Sequence, residues 1–314
     1  MASAPRKVLM LHGKVPTRVH QRYAQNATIF SKRLGALRKS VGEDIEMVFV
    51  NGPIVLHPVD IDGTSSTASL AALGASDTTS SDLSTAPRGW CKLNPERTVT
   101  YRMEESLLLF RDILQRDRYD GVFGFSQGAA MAALLAALLE RPHLYPPFLV
   151  DGEAPHPPFK FCVAVSGFKA PGSLSAEIFG TSYSTPTLHV LGRTDVVVIE
   201  ERTKDLIDLS HNKRVEEHQG GHFVPSGANW KEFFRNYLVD PLGVITSTEL
   251  ISASQEASGD LLLRRLKPIP RLVIELCVIP PTGPKHRLPR LGMRTPPIMT
   301  RLSSSSSGKQ VKFA

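Results

Sequence analysis

Five residues, Gly124-Phe125-Ser126-Gln127-Gly128, constrain the folding of this 314-residue chain more than any other feature. They join a short apolar run, Gly121–Phe125, to the alanine- and leucine-rich stretch Gly128–Leu139. The spacing predicts a strand that turns directly into a helix, with a serine at the corner. Side chains two positions before and after that serine would collide with the strand and the helix, so the pattern needs glycine at 124 and 128.

The same alternation runs through most of the chain. Residues 7–11, 45–50, 161–165, 187–191 and 214–218 read as further strands. Residues 26–39, 99–115, 203–210 and 230–238 read as helices. Strands that alternate with helices imply an α/β fold with a mostly parallel central sheet flanked by helices. Residues 60–87, rich in Ser, Thr, Ala, Asp and Gly, read as a mobile surface loop. After Asp240 the texture changes: nine of the 24 prolines lie there, with five consecutive serines at 303–307. The expected organisation is a domain over 1–240 and a basic, Pro/Ser-rich, disordered tail over 241–314.

Net charge is +7, but the eleven Lys and Arg against four Asp and Glu beyond residue 240 account for all of it. The main body is neutral, so neither nucleic acid nor a membrane surface is an expected partner. No run approaches the roughly 18 apolar residues of a membrane span. The apolar run after Arg6-Lys7 stops at His12-Gly13, too short for a secretory signal. Three widely spaced cysteines (Cys91, Cys162, Cys277) suit a reducing compartment. The expected location is the cytoplasm, and also the nucleus. With neither a phosphate-binding glycine loop nor a paired His/Glu helix motif, no cofactor and no metal are expected.

A serine at such a corner is reactive only with a base, and the base needs an orienting acid. G-x-S-x-G is the nucleophile-elbow pattern, whose partners follow in the order acid, then histidine. Asp195 lies just past one predicted strand, and His222 follows Gly220-Gly221 just past the next. Both take loop positions at strand C-terminal ends, where parallel sheets place their sites. His189 reads instead as a core histidine, His211 and His218 as solvated, and Asp205 and Asp208 as surface charge. The expected oxyanion donors are the Gln127 N–H and a residue after His12-Gly13.

The segments VLMLHG, QNATIFSKRLGALRKS, VNGPIVL, RGW at 88–90, EESLLLFRDIL, GVFGFSQGAAMAALLAALLE, FCVAVSGF, GRTDVVV and GGHFVP resemble the FSH-type serine hydrolases. The resemblance covers about residues 7–240. It implies an α/β-hydrolase fold with Ser126, Asp195 and His222 as catalytic triad and an intracellular esterase or thioesterase activity. Some members release polyketide acyl chains from a synthase, so the implied partners are a small acyl ester or thioester, or a synthase-bound chain. The family runs from L-H-G into an aromatic residue and Q-N, whereas here Lys14–Arg22 (KVPTRVHQR) intervenes before Tyr23. That reads as inserted sequence. It leaves the second oxyanion position to Lys14 or Tyr23, and it opens the alternative of a catalytically impaired hydrolase used as a binding module. The proline-rich stretch Pro142–Phe159 has two readings, a lid over an acyl chain or a stiff surface connection.

Overall fold

Short apolar runs without polar alternation suit strands covered on both faces, and six of them form the centre of this protein. The computed structural model describes residues 4–14, 25–56 and 86–248. All of these lie in the first of two units into which the chain divides, residues 1–265. Most of the expected loop at 60–87, most of KVPTRVHQR, Tyr23 and the chain from 249 onward fall outside the described residues.

The strands are β1 (Arg6–Leu11), β2 (Ile45–Val50), β7 (Gly121–Phe125), β8 (Phe161–Val165), β9 (Thr187–Gly192) and β10 (Lys213–His218), ordered β10-β9-β8-β7-β1-β2. Every neighbouring pair is parallel. The chain moves from β1 outward to β2, then from β7 outward in the opposite direction. The strand order therefore reverses between β1 and β7, which is where open parallel sheets leave a crevice for ligands.

Alternate residues of each strand enter different cores. Leu9, Leu11, Val122, Cys162 and Ala164 pack with α3 (Met103–Arg116), α4 (Gln127–Glu140), α5 (Ser173–Phe179) and α6 (Glu200–Leu209). Val8, Met10, Phe123, Phe161, Val163 and Val165 pack with α1 (Ala27–Arg33), α2 (Gly35–Val41) and α7 (Ala228–Val239). Helix α4 is apolar all round and is buried from Gln127 to Leu139, as a helix must be when it has no polar face. The fold is an α/β sheet covered on both sides, as the alternation of runs requires.

Three expectations change. The single helix over 26–39 is two, α1 and α2, which meet at Leu34 (φ −87°, ψ 11°) just before Gly35, a poor helix former. The helix expected from Val99 begins only at Met103. Residues Thr100–Tyr101 instead form β6, antiparallel to β5 (Lys92–Leu93). The Asn94 side chain accounts for this, because its Oδ1 accepts from the Thr98 and Val99 amides at 2.8 Å each and so commits that backbone to a turn. The lid reading of Pro142–Phe159 also fails. This stretch connects the C-terminal end of α4 to the start of β8, roughly 20 Å of helix away from Ser126. Two 3-10 turns, Pro142–Leu144 and Pro146–Phe148, with Phe148 buried, make it a stiff connection at the opposite end of the strands. The short β3 (Ile54–Val55) and β4 (Arg88–Gly89) pair antiparallel beside the crevice.

Beyond Asp240, residues 241–248 fold back on β10. Arg214 Nη2 donates to the Ile245 carbonyl at 2.9 Å. Ser247 Oγ and Thr248 Oγ1 donate to Glu216 Oε2 at 3.0 and 3.1 Å.

Phe234 of α7 is buried against Phe123 and Trp230, with ring centroids 5.7 and 5.5 Å away. Phe234→Ala is expected to cost about 3–5 kcal/mol in urea unfolding with an unchanged m-value. A cost below about 1 kcal/mol would show that this face contributes little to holding α7 on the sheet.

Candidate active site

Backbone geometry sets the site before any side chain does. Ser126 follows β7 with φ 54° and ψ −118°, a left-handed conformation that costs about 1–3 kcal/mol for a residue with a side chain. Its surroundings hold it there. The Ser126 amide donates to the Val165 carbonyl at 2.8 Å, and its own carbonyl accepts from Ala129 and Ala130 at 2.9 and 3.1 Å. A Cβ on Gly124 would lie 2.2 Å from the Gly128 carbonyl oxygen, and one on Gly128 would lie 2.2 Å from that of Leu11. The glycines thus let β7, α4 and the end of β1 close around the serine.

The structure brings Ser126, Asp195 and His222 together from three strand ends. His222 Nε2 stands 2.9 Å from Ser126 Oγ, and His222 Nδ1 stands 2.7 Å from Asp195 Oδ2. The His222 and Asp195 side chains are almost wholly buried. The other Asp195 oxygen accepts from the Val197 and Val198 amides at 2.9 Å each, so both carboxylate oxygens are engaged. Burial pushes the Asp195 carboxyl up, but the hydrogen bond and charge of His222, with the two amides, outweigh it and hold the group below the usual carboxylate range. The arrangement can move a proton from the hydroxyl to Nε2 while an ionised carboxylate fixes the tautomer.

The acid and histidine loops also meet through backbone. Thr194 N donates to the Gly220 carbonyl at 3.2 Å, and Arg193 N to that of His218 at 2.9 Å. His218, expected to be solvated, is only 6% exposed. Its ring lies between Phe223 and Trp230, with centroids 4.9 and 5.9 Å away, and its Nδ1 accepts from the Gly220 amide at 3.2 Å. The polar segment before it does not predict this, because β10 is exposed on its outer side only. His189 is buried in β9, as expected, and Asp205 and Asp208 are exposed.

On the oxyanion side, Gln127 is the first residue of α4, so its amide has no partner within the helix. Gly13 approaches closely, since a Cβ there would lie 3.0 Å from the Ser126 Cβ. The Gly13 amide, however, is committed to Gln25 Oε1 at 3.2 Å. Lys14 presents its carbonyl oxygen 3.5 Å from Ser126 Oγ. Tyr23, the other expected position, lies outside the described residues.

A matched model of the serine hydrolase (FSH1) family covers residues 1–234. The chain belongs to this family. It is 32% identical over 238 residues to a dihydrofolate reductase of Schizosaccharomyces pombe, a match covering 75% of this chain and 47% of that protein, so it spans about half of that relative's length. It is 30% identical over 254 residues to esterase OVCA2 of Danio rerio, covering 76% of this chain and 98% of that one. Among solved structures, it is similar to Zea mays acyl-protein thioesterase 2, with a TM-score of 0.48 at 16% identity, covering 77% of this chain and 96% of that chain. As a member of the serine hydrolase family, the protein is a hydrolytic enzyme.

Several residues that build this hydrolase's site carry no motif of their own. Trp90 of the RGW segment donates from Nε1 to the His12 carbonyl at 2.8 Å, and its amide donates to Gln127 Oε1 at 2.9 Å. Gln127 Nε2 donates to the Cys91 carbonyl at 2.9 Å. His12 Nε2 accepts from the Gly52 amide at 3.0 Å while Nδ1 faces the Gly13 carbonyl at 3.1 Å, which suits the neutral tautomer with its proton on Nδ1. Among the described residues no cluster of His, Cys, Asp or Glu could hold a metal ion.

Burial pushes the His12 imidazole down from 6.5 to about 4, with Arg88 adding to the effect. The unfolded chain therefore binds a proton that the folded one refuses between pH 6.5 and about 4. Stability contributed by neutral His12 is complete above pH 6.5 and falls as the pH drops through that window. His12→Gln is expected to reduce the proton uptake on unfolding at pH 5 by about one, read from the slope of unfolding free energy against pH. An unchanged slope would show that His12 is already protonated in the folded protein.

Proposed function

We propose that this enzyme cleaves carboxylic ester or thioester bonds through an acyl-enzyme on Ser126. The observation that carries the reading is the unbroken chain Ser126 Oγ, His222 Nε2, His222 Nδ1, Asp195 Oδ2, with contacts of 2.9 and 2.7 Å. His222 takes the hydroxyl proton as Ser126 Oγ attacks the carbonyl carbon, and Asp195 stabilises the imidazolium. The tetrahedral oxyanion forms against the Gln127 amide at the positive end of α4. His222 then returns the proton to the leaving alcohol or thiol. Water attacks the acyl-enzyme by the same route in reverse and frees the acid.

The family and the esterase relatives support the ester chemistry. Residues 1–240 are taken to carry it. The Lys14 carbonyl is an acceptor, so the second oxyanion donor falls to the Lys14 amide or to Tyr23. Release of a polyketide acyl chain from a synthase is the most specific form of the proposal, and it rests on the sequence resemblance alone. A cytoplasmic, and also nuclear, location agrees with the free buried thiols of Cys91 and Cys162.

Ser126→Ala is expected to abolish labelling by a fluorophosphonate probe and turnover of p-nitrophenyl esters and acyl thioesters. Equal labelling of the wild type and the variant would remove Ser126 from its role. Asp195→Asn keeps the shape but favours the wrong imidazole tautomer, and is expected to lower kcat about 10⁴-fold. A loss below about tenfold would mean that the carboxylate does not orient the base.

A further inference from the structure

Several basic side chains have acidic partners, among them Lys7 with Asp117, Arg102 with Glu105, Lys160 with Asp120, Arg193 with Glu217, Lys204 with Glu200 and Arg214 with Glu216. Arg97, Lys169 and Arg202 are instead gathered at one place. They line one cavity of about 330 Å³ together with Asp205, and among the described residues none of the three forms an ion pair with a carboxylate. The cavity's walls come from three separate stretches of chain: the β5–β6 turn, the loop after β8 together with α5, and α6. The first two are tied together where Thr100 Oγ1 donates to the Pro171 carbonyl at 3.0 Å.

The two arginines are held in place by specific contacts. Arg202 is half-buried, with its guanidinium 4.4 Å from the centre of the Phe168 ring, and that ring is itself buried. The stacking supports one face of the guanidinium but accepts none of its N–H groups. Arg202 also lies in the first turn of α6, the end at which a helix favours anions. Burial, and after it the charge of Arg97, hold Arg202 below the usual guanidinium value, while Asp205 opposes them. Arg97 adopts φ 58°, in the left-handed region, and its amide donates a hydrogen bond to the Asn94 carbonyl at 2.9 Å. Like charges are thus held near one another with a surplus of two positive charges over Asp205.

We infer that Arg97, Lys169 and Arg202 form a binding pocket for a phosphate monoester dianion. The charge surplus equals the charge of that group above its second pKa of about 6. Two planar guanidinium groups and one ammonium supply donors of the kind that phosphate oxygens accept. The cavity is roughly the size of a small-ligand site, larger than a lone carboxylate needs. Two of its walls continue from the strand ends that carry the candidate triad: the loop with Lys169 follows the β8 end that binds the Ser126 amide, and Arg202 lies in the first turn of the helix that follows the Asp195 loop. A substrate with its scissile carbonyl at Ser126 and a phosphate on its leaving group is one source of the ligand. A free phosphorylated metabolite is the other.

The test uses the full chain and inorganic phosphate as probe, in titration calorimetry at low ionic strength. Saturable binding is expected, weakened about tenfold or more in the Arg97→Ala/Lys169→Ala double variant and unchanged in Lys204→Ala, whose ammonium lies on α6 outside the cavity. These two positions are preferred to Arg202 because neither stacks on the core, and unchanged thermal melting of the double variant will show that it is folded. Absence of saturable binding, or equal binding by the wild type and the double variant, would overturn the pocket. The source of the phosphate is read separately, from hydrolysis of an acyl phosphopantetheine thioester and its phosphate-free counterpart, a measurement that rests on the proposed ester chemistry. A lower KM for the phosphorylated thioester, lost in the double variant, assigns the phosphate to the substrate. Equal KM values together with retained phosphate binding assign it to a separate ligand. Both results support the pocket, and the calorimetry needs no turnover, so its outcome is independent of the hydrolytic reading.

Discussion

The first turn of α4 passes so near the end of β1 that a single added methyl at position 128 would fall 2.2 Å from the Leu11 carbonyl oxygen. That approach wedges the Ser126 backbone between β1 and β8 and keeps it in a conformation it would not adopt in a free peptide. The rest of the rim depends on this contact. It aims the hydroxyl out of the sheet, turns the leading amides of α4 toward the same point, and sets how far the neighbouring loops must reach. The position of the contact is equally constrained, because the strand order reverses between β1 and β7 and leaves the crevice there.

Around the serine the protein uses neutral hydrogen bonds rather than charge. His12, Trp90, the Gln127 side chain and the amides of Gly52 and Trp90 form a buried network with well-matched donors and acceptors. Such a network gives strong geometric definition while adding no field that would compete with a developing negative charge. Asp195, the carboxylate bound to His222, is held charged by His222 and two amides. Polarity is thus graded from a carboxylate beneath the imidazole to amide dipoles at the hydroxyl, in the order the proposed acyl transfer would use them.

Much of this architecture is legible in the chain itself. The five-residue strands Gly121–Phe125 and Phe161–Val165 are unbroken apolar runs, and a strand between two cores has no other pattern available. Ser126, Asp195 and His222 can be picked out as a set because each follows an expected strand, two of them apolar runs and the third the polar, edge-like Lys213–His218, so the sheet carries their side chains to one rim. Trp90 and the Gln127 side chain escaped because their partners are backbone groups from segments far away in the chain, which leave no local pattern. The β5–β6 hairpin escaped because one side chain, Asn94, decides it against the apolar spacing that follows. The lid reading of Pro142–Phe159 rests only on its place after the elbow helix, whose fourteen residues carry the chain to the opposite end of the strands, while the stiff-connection reading fits.

His222 hangs from β10, the outermost strand, which has a sheet partner on one side only. Edge strands are the first to open in thermal fluctuations. Here the segment at 245–248 is buckled across β10 through Glu216 and Arg214. The imidazole therefore owes part of its alignment to residues that never approach the crevice. A loosening of that buckle would withdraw the base from the alcohol while the two cores, and the bulk of the sheet, stayed folded.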